Sequence, residues 1–269
     1  MRLFNWLKKR FKRSGVIAII RLEGVIATGG KFSGGINDQN LAPLIEKAFD
    51  LGKIKAIALI INSPGGSPSQ SSLLAARIIR LSNEKKIPVY AFCEDVAASG
   101  GYWLACSAKE IFADENSIVG SIGVISAGFG FHEFISRQGV ERRVYTSGEE
   151  KSMLDPFRPE KKDEIERLKL IQKAIHENFK NFVNSRRGKK IEGKKIFTGE
   201  VWEADRAKEL GLIDGIGHLE PILREKYGQD IQFKKLERKR GFFSRFGKAS
   251  LDGIFEAINE KFYFSKFRL

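Results

Sequence analysis

One serine in this chain stands where a nucleophile could work. Ser99 sits in Val96-Ala97-Ala98-Ser99-Gly100-Gly101, and an apolar stretch with helical spacing follows it (Tyr102, Leu104, Ala105, Cys106, Ala108). That order reads as a hydroxyl on a tight turn that opens a helix. Small neighbours let a substrate backbone come close, and the first amides of a helix favour negative charge. Two more glycine-bearing stretches flank it, Asn62-Ser63-Pro64-Gly65-Gly66 upstream and Gly120-Ser121-Ile122-Gly123-Val124 downstream. A serine hydroxyl attacks a carbonyl only when a partner takes its proton. His132, in Gly130-Phe131-His132-Glu133, is the histidine near this region, and it reads as a surface helix residue rather than a triad member. His132, His176 and His218 share no ligand spacing, and Cys93 and Cys106 form no CxxC pattern, so no metal and no cofactor is expected. Both cysteines read as reduced core residues.

The elements that must position these residues alternate. Val16–Leu22 and Ile54–Ile61 are near-continuous apolar runs and read as buried strands, with Pro88–Cys93 as a third. Helices are predicted over Asn40–Phe49 and Ser69–Leu81, and short strands over Ile111–Ala113 and Ile122–Ser126. Such β-α-β-α order with near-continuous apolar strands argues an α/β fold with a largely parallel sheet covered on both faces. Both glycine pairs fall at carboxyl ends of strands, where such sheets hold ligands. Further on come a short helix, Phe131–Arg137, a strand, Arg142–Tyr145, and a charged loop, Gly148–Pro159. Pro159 opens a long amphipathic helix to about Arg187, with Ile165, Leu168, Ile171, Ile175, Phe179 and Phe182 on one stripe. A basic loop, Gly188–Lys195, and a helix, Ala204–Leu210, follow.

Composition limits the class. A hydrophobic content of 42% with 30% charged residues over 269 positions is that of a globular chain with ample core. The net charge of +14 is concentrated at the ends: residues 1–13 carry +6 and residues 222–269 carry +6, leaving +2 for the 208 residues between. Nucleic-acid binding by the body is therefore not supported. Three parts are expected: a basic amphipathic tail at 1–15, a catalytic body at 16–230, and a basic amphipathic segment at 231–269. Both tails suit an anionic membrane surface, a neighbouring subunit or simple solvation. The apolar run Val16-Ile17-Ala18-Ile19-Ile20 meets Arg21, too short for an export signal of roughly 7–15 residues or a span of about 20. The expected location is the cytoplasm, with peripheral attachment to the cytoplasmic face of the inner membrane through the tails.

In combination and order, several motifs resemble the signal peptide peptidase A (protease IV) family of serine peptidases. They are Asn62–Gly66, Ala97–Tyr102, Gly120–Val124, Gly148-Glu149-Glu150-Lys151-Ser152 with Pro156-Phe157, and Phe197-Thr198-Gly199 with Ala207 and Leu210-Gly211-Leu212-Ile213-Asp214. The match runs from about residue 16 to 220. The resemblance implies a ClpP/crotonase-like spiral of βαβ units. It also implies a Ser/Lys dyad, with Ser99 as nucleophile, Lys151 as general base and Ser121 orienting the lysine. The backbone amides of Gly66 and Gly100 are expected to form the oxyanion hole. A lysine serves as base only when neutral, so its pKa must fall by about 2–3 units from ~10.4. Desolvation can supply that, whereas Glu149 and Glu150 would oppose it if they faced the amine. Short family members complete the dyad between neighbouring subunits of a ring. With one catalytic block, this chain is expected to form a homo-oligomer in which Ser99 and Lys151 meet across an interface, acting on extended peptides. Two other readings compete: a crotonase-type acyl-CoA enzyme, for which Ala98-Ser99-Gly100 supplies no acid, and a catalytically silent membrane scaffold.

Overall fold

The computed structural model describes residues 15–28, 35–148 and 151–237. The tail expected at 1–15 thus lies outside the described residues apart from Gly15, as do residues 238–269 of the basic C-terminal segment.

Eight strands form one mixed sheet: β1 (Val16–Glu23), β2 (Ile54–Ser63), β3 (Val89–Ala98), β4 (Glu110–Ala113), β5 (Ile118–Gly120), β6 (Val201–Glu203), β7 (Gly215–Ile216) and β8 (Gln232–Leu236). The main path runs β6-β5-β3-β2-β1-β8, with β4 paired to β3 and β7 to β4. Every pairing is parallel except β5 with β6. The sheet is therefore the largely parallel, helix-flanked α/β arrangement that the alternation implied. β1 is buried over Ile17–Ile20 and at Leu22, and β2 over Ala56–Leu59 and Ile61–Ser63, as expected of strands covered on both faces. β8 places residues 232–236 in the same sheet, beside β1.

The helices are α1 (Asp38–Phe49), α2 (Pro68–Lys85), α3 (Gly100–Ala105), α4 (His132–Arg137), α5 (Lys162–Arg187), α6 (Ala204–Glu209) and α7 (Leu219–Tyr227), with a 3-10 turn at Gly188–Ile191. Asn37 caps α1 and Ser67 caps α2, each accepting the amide three residues on. One core cluster joins one face of the sheet to α1, α2, α3 and the end of α5; a smaller one lies on the opposite face, where Leu223 of α7 packs with Phe92 and Phe112.

Two expected strands do not form. Ile122–Ser126 is irregular and the strand lies earlier, at Ile118–Gly120, because Gly120 (φ +117°) and Ser121 (φ +52°) turn the chain out of extension. Arg142–Tyr145 is irregular and mostly exposed, and among the described residues no strand pairs with it; β-propensity alone forms no ladder.

β3 carries the fold's main irregularity. Ile61 pairs with Cys93, yet Ser63 pairs with Ala97, so extra residues bulge from β3 around Glu94 and Asp95. Before the bulge β3 pairs with β4; after it, with β5. Asn62 closes the bulge, donating to Asp95 Oδ2 at 2.6 Å and accepting the Val96 amide at 3.3 Å. This turn redirects the end of β3 toward the residues described next.

Candidate active site

Ser99 follows the last residue of β3 and caps α3 with φ +53° and ψ −119°. A non-glycine residue in that region is strained and persists only where its surroundings hold it. Two backbone bonds do so: the Ser99 amide donates to Gly120 O at 2.8 Å, and Ser99 O accepts from the Trp103 amide at 3.0 Å. The serine is half-buried, and among the described residues its hydroxyl makes no hydrogen bond. The turn thus presents the Oγ at the end of the sheet without a structural duty.

The upstream glycine pair meets this turn. A Cβ on Gly65 would lie 2.7 Å from Ser99 Cβ and 2.8 Å from the Gly100 amide nitrogen, so the two chains touch through missing side chains. Gly65 and Gly66 have φ +102° and +140°. Gly65 O accepts from Ile26 and Ile26 O accepts from Ser67, which pins both sides of Gly66 against Ile26. The Gly66 amide therefore points away from Ile26, and among the described residues neither it nor the Gly100 amide donates to another group. Ser63, buried, anchors the turn by donating to Gly24 O at 2.7 Å and accepting the Gly65 amide at 3.2 Å. Sequence reading took Ser63 as part of a motif without a role; its position between a strand end and a glycine pair was the available signal.

Ser121 adjoins the same turn, since Gly120 O holds the Ser99 amide. Its own amide donates to Glu200 O at 2.7 Å, and the Trp202 ring fills the space where Gly120 would carry a Cβ. His176 of α5 meets Ile122 O at 3.1 Å; a carbonyl only accepts, so Nε2 carries the proton there. The structure thus brings Ser99, Gly100, Gly66 and Ser121 together at the ends of β2, β3 and β5.

Lys151 is placed differently. The described residues between Ile125 and Lys161, here called the arm, are mostly exposed, and Lys151 lies exposed on a turn among them. The lysine makes no hydrogen bond to Ser99 or Ser121 within the chain. Several large apolar side chains of the arm face solvent: Ile125 at 76%, Phe129 at 77%, Phe134 at 65% and Tyr145 at 90% exposure. The apolar stripe of α5 divides as well. Phe179 and Val183 are buried near its end, while Ile171 and the neighbouring Leu170 are exposed nearer its start.

A buried polar cluster behind α3 is structural. Arg187, only 4% exposed, donates to Asp214 and to Gly211 O. Burial would raise the Asp214 pKa, but hydrogen bonds from Arg187 and Lys190 outweigh it and hold the carboxyl below the usual range. Burial pushes the Cys93 and Cys106 thiols up to about 12 and the Tyr102 phenol well above its ordinary value. None of these groups is poised for chemistry at neutral pH.

The model of peptidase family S49 matches residues 82–229, more than half of the chain. The chain belongs to peptidase family S49. It is 32% identical over 215 residues to an Enterococcus faecium protein named as a signal peptide peptidase, SppA, covering 77% of this chain and 61% of that one. It is 31% identical over 207 residues to Protease 4 of Haemophilus influenzae, covering 75% of this chain and 32% of that one. A Brucella abortus protein named Na(+)/H(+) antiporter NhaA is 47% identical over 231 residues, 85% of this chain and 31% of that protein. The chain thus spans about a third to two thirds of these relatives' length. In this S49 chain, no helix among the described residues is long and apolar enough to cross a membrane.

Proposed function

We propose that this S49 chain is a serine endopeptidase that cleaves extended peptides through an acyl-enzyme on Ser99. The observation that carries the reading is the strained Ser99 turn, its hydroxyl unbonded among the described residues, packed against the Gly65-Gly66 turn, with one unused amide on each side, Gly100 and Gly66. In the reaction Ser99 Oγ attacks the scissile carbonyl while Lys151 Nζ, uncharged, takes the hydroxyl proton. The amides of Gly66 and Gly100 receive the oxyanion, each worth about 3–4 kcal/mol in comparable sites. The lysine then returns the proton to the leaving amine, and water repeats the sequence to free the enzyme. Ser121 orients the amine. Membrane-associated polypeptides such as signal peptide remnants are the substrates that the family suggests. Attachment to an anionic surface through the tails would bring the chain to them.

Lys151 reaches Ser99, in this reading, across an interface between copies of the chain. Two features support it: the lysine is exposed and makes no bond to Ser99 within the chain, and the segment around it exposes the large apolar side chains a second copy would cover. Crotonase-type acyl-CoA chemistry is less well supported, because Glu94 is paired with Arg21 and Asp95 with Asn62 at the β3 bulge.

A fluorophosphonate probe followed by mass mapping tests the proposal. Ser99 should carry the adduct, and Ser99→Ala should lose both labelling and peptide hydrolysis while its urea midpoint stays at the wild-type value. Lys151→Met should lose turnover as well. Co-refolding the two dead variants should restore part of the activity, since mixed neighbours pair an intact serine with an intact lysine. Turnover retained in Ser99→Ala would exclude the mechanism, and dead mixtures would exclude the shared dyad.

A further inference from the structure

We infer that Glu164 is a positioning residue for Lys151, an inference that rests on the dyad reading above. Glu164 stands in the first turn of α5, 8% exposed. A carboxylate that far out of water needs partners. Its Oε2 accepts the backbone amide of Leu154 at 2.9 Å, and among the described residues the cation beside it is Lys161, at 3.7 Å. Leu154 lies three residues beyond Lys151 and holds φ at +59°, the left-handed region that a branched side chain avoids. The Glu164 carboxylate thus restrains the strained residue of the lysine-bearing turn.

Among the described residues, the turn's other hydrogen bonds lie within the arm. Arg158 Nη1 donates to Ser152 Oγ at 3.1 Å, the Lys151 amide donates to Gly148 O at 3.2 Å, and Arg142 Nε donates to Asp155 Oδ2 at 3.2 Å. Glu164 differs because it belongs to α5, and α5 is fixed to the body. Trp103, three residues into the helix that Ser99 caps, stacks on Phe179 at 4.6 Å and on Phe182 at 5.3 Å between centroids. A continuous path therefore runs from the nucleophile through α3, the aromatic stack and α5 to Glu164, and from there to the lysine turn. Glu164 fixes the direction in which each body presents its lysine.

The test uses the full-length chain with Glu164→Ala and Glu164→Gln, read by kcat and KM on an extended fluorogenic peptide and by assembly size. The alanine variant should lose about 10²-fold in kcat, the scale of a 1 Å misplacement, with KM within about twofold. Glutamine still offers an oxygen to the Leu154 amide and should recover to within about tenfold of wild type. Assembly size should not change. Should the alanine variant fail to fold, Glu164→Asp, one methylene short of the amide, carries the same expectation. Wild-type kcat in the variant would overturn the inference, as would a rise in KM alone or a loss that glutamine does not relieve. Lys151→Met separates the two levels. If it keeps turnover, the dyad reading fails and this inference with it. If it is dead while Glu164→Ala turns over normally, the positioning role alone fails.

Discussion

Gly65→Ala should damage the site and the fold together, by an amount the coordinates set. The new Cβ would sit 2.7 Å from Ser99 Cβ, 2.8 Å from the Gly100 amide nitrogen and 2.9 Å from Ala98 O. Ordinary van der Waals contact begins at 3.4 Å, so the Ser99 turn must retreat by about 0.7 Å. Two of the three obstacles are backbone atoms, and the third is the first side-chain carbon of Ser99, so no rotamer change relieves them. The φ of +102° adds about 1–2 kcal/mol for a residue with a Cβ, and overpacking adds about 1–3 kcal/mol. The expected loss of stability is thus about 2–5 kcal/mol. Gly193→Ala is the control: its φ is +72°, and nothing lies within 4 Å of the added carbon. It should lose only the conformational part, about 1–2 kcal/mol. Urea unfolding of both variants, with the second-order rate of fluorophosphonate labelling, makes the comparison. In Gly65→Ala labelling should slow by about 10²-fold, because the hydroxyl shifts relative to the Gly66 amide. If Gly65→Ala unfolds like Gly193→Ala and labels within about twofold of wild type, the contact between the two turns is not what places the Ser99 hydroxyl.

Asp214→Ala should cost about 3–5 kcal/mol in urea unfolding, because it strips the charged partner from a buried guanidinium. The Asp214 pKa is lowered in the folded chain, so its stabilisation is present above the unfolded value of about 3.9 and is lost as pH falls through the folded value. The gap between wild type and variant should therefore close below about pH 4, and a gap that widened there would reverse the sign of the argument. Cys93 and Cys106, with thiols near 12, should resist a thiol reagent at pH 8 in the native protein and both react once it is unfolded. Prompt modification of either in the folded chain would contradict its burial.

The strands that carry the site were readable because they are buried on both faces. Val16–Leu22 and Ile54–Ile61 are apolar but for Arg21 and Lys55, and their boundaries in the structure move by at most two residues. The meeting of Gly65-Gly66 with Ser99-Gly100 follows from the same logic, since both pairs end neighbouring parallel strands. The third glycine stretch was harder. Ile122-Gly123-Val124-Ile125-Ser126 has strand composition, but the positive φ at Gly120 and Ser121 is a tertiary demand made by Trp202 and Glu200, eighty residues away. The arm from 125 to 161 was the least legible part. Local patterns in it, such as Arg142–Tyr145, assume a neighbouring surface, and the chain's own body does not supply one. For the same reason the spacing from Ser99 to Lys151 says nothing about where the amine stands. The α5 stripe was read as one face, yet its ends differ in burial, because only the C-terminal turns meet Trp103 and the core.

The strip of main chain from Ile26 through Gly65, Ser99 and Gly120 to Glu200 is tied almost entirely by amides and carbonyls in contact with one another. Its shape is therefore written in vacancies: places where a methyl group would collide. Side chains beside this strip can be exchanged without loosening the framework, provided none of the vacancies is filled. A library that randomises those side chains while holding Gly65, Gly66, Gly100, Gly101 and Gly120 fixed would vary the surroundings of Ser99 at little risk to the scaffold.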